Sequence, residues 1–290
     1  MNTSLNDPPA INDPPPAQRQ KSLRPGLAWA LAALIAGAAL LSLWRTPYAP
    51  NAMNVPARLQ PPSWAHLAGT DEFGRDIFSR LMAGSRVSLA VGLGAMSISL
   101  LAGALVGMLA GYFGGWIDVV LMRLMDAMMA LPGIVVALLI VAVSGVGIAN
   151  TALALGLMGV PVIARVTRSV FLVGREMEYV LAARALGASS WRAIAAHILP
   201  NQITAILVAA SINLAGAILG EAGLSYLGLG TQPPDPSWGR MLQEAQRYIG
   251  VAWWYALAPG LTITLAVFVF YLLAGDLQQR IQPAGRGALD

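Results

Sequence analysis

The stretch Glu178–Asn201, EYVLAARALGASSWRAIAAHILPN, is a polar, Ala-rich interruption in a chain that is otherwise strongly apolar. Five of the seven residues from Ala182 to Ala188 are Ala or Gly, so a helix here offers a surface with little side-chain relief, suited to lying in a groove of another protein. Gly187 is placed to end that helix, because glycine takes the left-handed conformation at a helix C-terminus without steric cost. Ser190 is expected to cap a second short helix that starts at Trp191, and Pro200 to stop it. The stretch reads as helix, tight turn, helix: a docking element presented by something larger.

Composition says what presents it. The chain is 57% hydrophobic and 11% charged, against roughly 25% charged residues in soluble domains. A polytopic membrane protein follows, and the helical spans read below make its expected class all-α. With no cysteine in the sequence, a disulfide framework and a thiolate metal site are both excluded. The net charge of +4 calls for no nucleic-acid partner, since an Arg excess in such chains sets orientation in the bilayer.

Residues 1–25 carry repeated Pro and the basic cluster Arg19, Lys21 and Arg24, and read as a disordered cytoplasmic tail. Residues 26–44 are uncharged and about long enough to cross the hydrocarbon core, so they read as an uncleaved first transmembrane helix. Basic residues before this span place the N-terminus in the cytoplasm. Residues 45–86 then form an outer, periplasmic segment ending in GTDEFGRDIFSRLMAGSRVSL. Two readings of it stand side by side. In one, Thr70 or Asp71 caps a short interfacial helix whose Arg75, Asp76 and Arg80 sit at lipid headgroups; in the other, the segment receives a partner or substrate.

Residues 87–276 are expected to hold five more spans. In the second, Gly103, Gly107 and Gly111 recur every fourth residue, which puts them on one face and allows a neighbouring backbone to come close. The third opens with Arg123 and Asp126, three apart and so neighbours on the helix surface; they read as a structural ion pair near the cytoplasmic boundary, with a transport role as the alternative. Pro132 in the third span and Pro161 in the fourth should kink or break their helices. Alternation then places residues 175–201, with the docking element, in the cytoplasm. The fifth span contains Asn213 with Glu221 near its outer end; at that depth each must face the bundle or an aqueous cavity, so each either binds a neighbouring helix, the reading favoured here, or is a candidate for a translocation path. In the outer segment that follows, a Pro pair, Trp238, Trp253 and Trp254 indicate a short interfacial helix and an aromatic belt. Residues 277–290 form a cytoplasmic C-terminal tail. Six transmembrane helices are expected in all, with both termini inside.

Catalytic constellations are missing. His66 and His197 are expected on opposite sides of the membrane and so share no metal, and no H-E-x-x-H, G-x-S-x-G or G-x-G-x-x-G occurs. Lys21 is the only lysine and lies in the N-terminal tail, so the phosphate-binding G-x-x-x-x-G-K-[ST] loop cannot exist in this chain. If ATP drives the protein, another subunit binds it. No internal repeat is visible, which gives little support to an inverted-repeat secondary transporter. A channel or secondary transporter working alone stays open as a different class.

Three stretches, Gly69–Leu89, Ala182–Asn201 and LSYLGLGTQPPDPSWGRML at Leu224–Leu242, together resemble the permease subunits of bacterial ABC importers. The resemblance is to the dipeptide, oligopeptide and nickel branch, and within it to the second permease. It implies the type I importer permease fold and a subunit that is not itself an enzyme. Two ATPase subunits carrying ATP and Mg, a second related permease and an external binding protein that delivers a peptide substrate would complete the machine. Glutathione, nickel and metal chelates are the substrate alternatives within the branch. On this resemblance the ATPase-docking residues are Glu178, Tyr179, Ala182, Ala183, Arg184, Gly187 and Ala188, and Arg75, Asp76 and Trp238 are candidates to face the binding protein. The family's loop carries a Glu where this chain has Leu181, and Glu178, one turn earlier, is its possible substitute.

Overall fold

The computed structural model describes residues 25–281. Of the expected tails, residues 1–24 and 282–290, including Arg19, Lys21, Arg24 and Arg286, lie outside the described residues, whereas 277–281 continue the last helix. In chain order the helices are α1 (Pro25–Leu41), α2 (Ile77–Phe113), α3 (Gly115–Met129), α4 (Gly133–Ser144), α5 (Ile148–Gly174), α6 (Glu178–Ala185), α7 (Ser190–Arg192), α8 (Leu199–Tyr226), α9 (Trp238–Ala245) and α10 (Trp253–Ile281). Among the described residues no strand forms beyond one antiparallel bridge between Thr70 and Asp76.

Against six expected crossings stand four full-length helices, one broken pair and one short helix. The four long enough and apolar enough to span a bilayer are α2, α5, α10 and the continuous stretch Ser190–Tyr226. Helices α3 and α4 qualify only together, and they are bent by 85°. Pro132 causes the break as expected: it precedes the first turn of α4, where a residue without an N–H costs nothing. Pro161 does not break its helix; α5 runs through it uninterrupted. The first span is shorter than expected. It ends in a turn at Leu41, leaving 17 residues, roughly 25 Å of helix.

Directions follow from which residues meet. A Cβ on Gly103 would lie 2.7 Å from Ile163 Cβ, and one on Gly111 would lie 2.6 Å from the carbonyl oxygen of Arg168. Both distances are shorter than atoms tolerate, so the glycine stripe is what lets α2 and α5 lie side by side, and the rising numbers on both helices make them parallel. Helix α8 runs the other way: its Asn213 accepts from Ser99 Oγ at 2.7 Å, and its Glu221 accepts from Ser88 Oγ at 2.8 Å. Helix α10 packs beside α8 with Ile263, Ala266 and Val269 in a shared core with Leu214 and Ile218. Trp29 at the start of α1 donates to Asp276 near the end of α10 at 3.1 Å, so these two helices are antiparallel. The beginning of α1, the end of α10 and the α6–α7 region therefore share one end of the bundle, and residues 45–76 with α9 share the other.

One local pairing differs from expectation. Asp126 is held by Arg165 of α5 at 2.6 Å, not by Arg123 on its own helix. A partner on a packed neighbouring helix is brought within reach by the fold, whereas an i,i+3 pair also needs both side chains to lean toward each other.

Candidate functional site

The element at Glu178–Asn201 is built as an exposed face on a buried keel. Val180, Ala193, Ile194 and Ile198 are almost fully buried and form one core with Tyr112, Phe171 and Ile206 of the spanning helices. Burying four such side chains stabilises the seat by about 1.5–3 kcal/mol for each Val or Ile and less for Ala. Arg175 adds a polar clamp, donating through Nη1 to the carbonyls of Gly111 and Tyr112 at 3.1 and 3.3 Å. These are among the last carbonyls of α2, which lack intrahelical partners and attract a cation. Phe113 and Trp191 meet edge to face with ring centroids 6.1 Å apart.

Above the keel the chain turns as the sequence indicates. Gly187 has φ +89°. Its N–H donates to Arg184 O at 2.9 Å, and the next N–H, of Ala188, donates to Ala183 O at 3.0 Å, the paired bonds of a Schellman ending. Nothing lies within 4 Å of where a Gly187 side chain would begin, so glycine is needed there for backbone conformation and not for space. The cap of the second helix is Ser189, whose hydroxyl accepts from Arg192 N, one residue earlier than expected. Pro200 does not stop the helix either. It falls in the first turn of α8, directly after a π-helical turn at Ala193–Ile198, and the chain continues to Tyr226. The wider π turn absorbs the missing N–H and joins the element to α8 as one piece.

The exposed face contains Glu178, Tyr179, Ala182, Arg184 and Gly187, with Ala183 and Ala188 partly covered. It also contains two residues that sequence reasoning missed. Leu186 is 90% exposed and Trp191 58% exposed. The signal for Leu186 was a large apolar residue with only small neighbours just before the terminating glycine.

The opposite end is a closed polar cap. Asp71 accepts Arg75 Nε at 2.5 Å, and its other oxygen accepts the backbone N–H groups of Phe73 and Arg75 at 2.9 Å. Glu244 of α9 binds Arg80 at 3.0 Å, Arg240 at 3.2 Å and Arg75 at 3.4 Å. Tyr255 donates to Glu72 at 2.6 Å. Burial pulls the Arg75 guanidinium toward losing its proton, but the field and hydrogen bond of Asp71, with Glu244 and Glu72, more than offset this and keep its pKa above the ordinary value. Asp76 caps α2, accepting Ser79 N and Oγ at 2.7 Å each, while its other oxygen meets His66 Nδ1 at 2.9 Å.

This corrects the headgroup reading. No short interfacial helix forms, and Arg75, Asp76 and Arg80 are buried in ion pairs and caps. Trp238 is likewise not part of an aromatic belt: it is buried, donating through Nε1 to Leu81 O at 3.1 Å. These side chains shape this end of the bundle without forming its surface. Glu221, offered as lining a path, is fully buried, its two oxygens taken by Ser88 at 2.8 Å and Ser225 at 2.6 Å. Asn213 faces Ser99 and Gly159 across the same helix contact. Among the described residues no group of three or more His, Asp and Glu is arranged to hold a metal.

Residues 103–283 match the family described as binding-protein-dependent transport system inner membrane component. The chain belongs to this family. Curated relatives agree with it. The di/tripeptide transport system permease protein DppC of Pseudomonas aeruginosa is 41% identical over 88% of this chain and 86% of its own length. The dipeptide transport system permease protein DppC of Alkalihalophilus pseudofirmus is 42% identical over 78% of this chain and 74% of its own. The glutathione transport system permease protein GsiD of Pectobacterium atrosepticum is 41% identical over 77% and 74%. Among solved structures, a chain of the MetNI methionine ABC transporter in its inward-facing conformations superposes with a TM-score of 0.59 at 17% identity, covering 70% of this chain and 96% of that one. The inner membrane component thus has the fold of a type I ABC importer permease.

Proposed function

We propose that this chain is the second permease of an ATP-driven importer and carries di- or oligopeptides across the bacterial inner membrane. The observation that supports this best is the α6–α7 element: small residues and Leu186 exposed, a keel buried against α2, α5 and α8, and a π turn that fuses it to α8. An ATPase subunit gripping the exposed face would move a spanning helix directly, which is the two-state coupling such a machine needs. Two ATPases holding ATP and Mg, a second permease related to this one and an external binding protein are the partners in this reading. The shared end of α1, α10 and the docking element supports a cytoplasmic side for both termini. Arg75, Asp76 and Trp238 would serve the binding protein indirectly, as the frame of the outer face. Asn213 and Glu221 would hold α8 to α2 and leave the lining of the path to other residues.

The substrate follows the peptide permeases among the relatives. Glutathione is the second reading, carried by the permeases of that name. The deciding experiment is uptake of a labelled dipeptide, with glutathione and a nickel chelate as parallel arms, by vesicles holding the reconstituted complex with and without internal ATP. ATP-dependent entry of the dipeptide is expected. Entry without ATP through this chain alone would overturn the importer reading in favour of a channel or secondary transporter.

A further inference from the structure

The face shared by α3 and α5 carries charge at a depth where the rest of the bundle carries none. Residues 87–113 of α2, 199–220 of α8 and 253–275 of α10 contain no Asp, Glu, Lys or Arg. Yet α3 bears Asp118, Arg123 and Asp126, and α5 bears Arg165 and Arg168. Arg165 lies nine residues before the end of α5, roughly 13 Å along the helix axis. It is level with the stretch of α2 between Gly103 and Gly107, which pack on Ile163 and Thr167.

The Asp126–Arg165 pair is not hidden inside the chain. Its side chains are 52% and 46% exposed. Asp118 is bound two-pronged by Arg168 at 2.5 and 2.6 Å. Asp118, Arg123, Asp126 and Arg168, with Val119 and Met122, border a cleft of about 270 Å³. Both acids of the cleft are therefore already engaged, and Arg123, exposed, has no hydrogen-bond or ion-pair partner among the described residues. Hydrocarbon cannot solvate such a face, and ionisable groups within spanning segments turn to water-filled cavities or to one another. Four of the five groups satisfy one another in pairs, and Arg123 is left in want of water or of an acid brought to the cleft, which a wet, concave surface open to a passing anion supplies.

We propose that the α3–α5 face at Arg123, Asp126 and Arg165 borders the aqueous translocation path, and that Arg123 meets the carboxylate of the passing substrate there. This rests on the permease reading and deepens it by naming path residues other than Asn213 and Glu221. An Arg guanidinium with free donors matches a carboxylate in geometry and charge.

The absence of cysteine makes the test direct. Single variants Met122→Cys, on the cleft, and Val120→Cys and Leu124→Cys, turned about 200° away on α3, are placed in the assembled complex in vesicles. Membrane-impermeant methanethiosulfonates, one anionic and one cationic, are applied to both faces, and modification is read as added mass on this chain alone. Met122→Cys should react at least about tenfold faster than the other two, because thiolate chemistry needs water. Adding Arg123→Gln should lower the anionic-to-cationic rate ratio severalfold. Equal rates at the three positions, or a ratio that Arg123→Gln leaves unchanged, would overturn the proposal. Peptide uptake by the unmodified complex is measured alongside. If it fails while Met122→Cys labels as expected, the peptide assignment falls and the water-lined face stands.

Discussion

At the end of the bundle that carries α9, the charged side chains of Arg75 and Arg80 are shut away from solvent and share two acids, Asp71 beside them in sequence and Glu244 on a distant helix. At the other end the large apolar side chains of Leu186 and Trp191 stand in the open, on a turn held by backbone hydrogen bonds. The usual placement is reversed at both ends, with charge inside and hydrophobic groups outside. A closed charge network fixes the geometry of a surface, since removing one member strands the others without water. An exposed apolar knob does nothing for the chain that carries it and gains only when a partner covers it. The charge network is satisfied within the chain; the exposed Leu186 and Trp191 are not.

Removing one charge from the cap is the harshest test of that contrast. Glu244→Leu takes from buried Arg80 its nearer acid, leaving only Asp71 at 3.6 Å, and loosens Arg75 and Arg240. Breaking a buried pair this way costs about 3–5 kcal/mol. Thermal unfolding in detergent should show a large loss of stability, and accumulation in the membrane should fall. Little change would mean that the outer end is not the self-sufficient unit described.

Gly187→Val should do the reverse. The side chain has room, so the penalty is confined to the left-handed backbone, about 1–2 kcal/mol, and the keel beneath is untouched. The chain should insert and keep its stability within that margin, while ATP-driven uptake drops by at least about tenfold, the factor that roughly 1.4 kcal/mol of lost coupling represents. Normal uptake with full-length protein in the membrane would sink the docking role. Leu186→Ala is the milder version at the same end. Truncating a fully exposed leucine should leave thermal stability unchanged and cut uptake a few-fold, in proportion to the roughly 1 kcal/mol such a contact contributes once covered.

How much of this was legible in the sequence also divides by end. The helix–turn–helix at Glu178–Asn201 was readable because its determinants are local: the small residues of Ala182–Ala188, a glycine where a helix must stop, and a polar stretch amid apolar spans. The errors there, Ser190 for Ser189 as cap and Pro200 as a stop, were of a residue or of a π turn that leaves no pattern. The cap was not readable. Arg75 and Arg80 meet Glu244 across 169 and 164 residues, and nothing in the local pattern of GTDEFGRDIFSR distinguishes a buried network from a charged helix at headgroups. Asp126 shows the same limit on a smaller scale: its nearest cation in sequence was Arg123, and the fold brought Arg165 instead. The bend at Pro132 was legible from chemistry, but its 85° angle depends on packing that sequence alone does not state.

The finest test concerns Leu181, the position where the resemblance to importer permeases leads one to expect a glutamate. It is 45% exposed, and Glu178, three residues earlier on α6, is exposed as well. Residues three apart share a helix flank, so a basic group on a partner that a glutamate at position 181 would meet would also be within reach of Glu178. Three variants then form a closed comparison. Glu178→Ala should lower uptake a few-fold, by the roughly 0.2–1 kcal/mol of an exposed ion pair. Leu181→Glu alone should change it less than about twofold, because the basic partner is already engaged and a solvated surface charge adds little. The double variant should recover most of the loss, since a carboxylate returns to the same flank. That non-additivity is the decisive observable: two residues that serve one contact must couple, whereas independent ones add. If the double variant is as poor as Glu178→Ala, Glu178 is not the substitute, and this docking surface grips its partner through Leu186 and its small-residue face without an acidic contact.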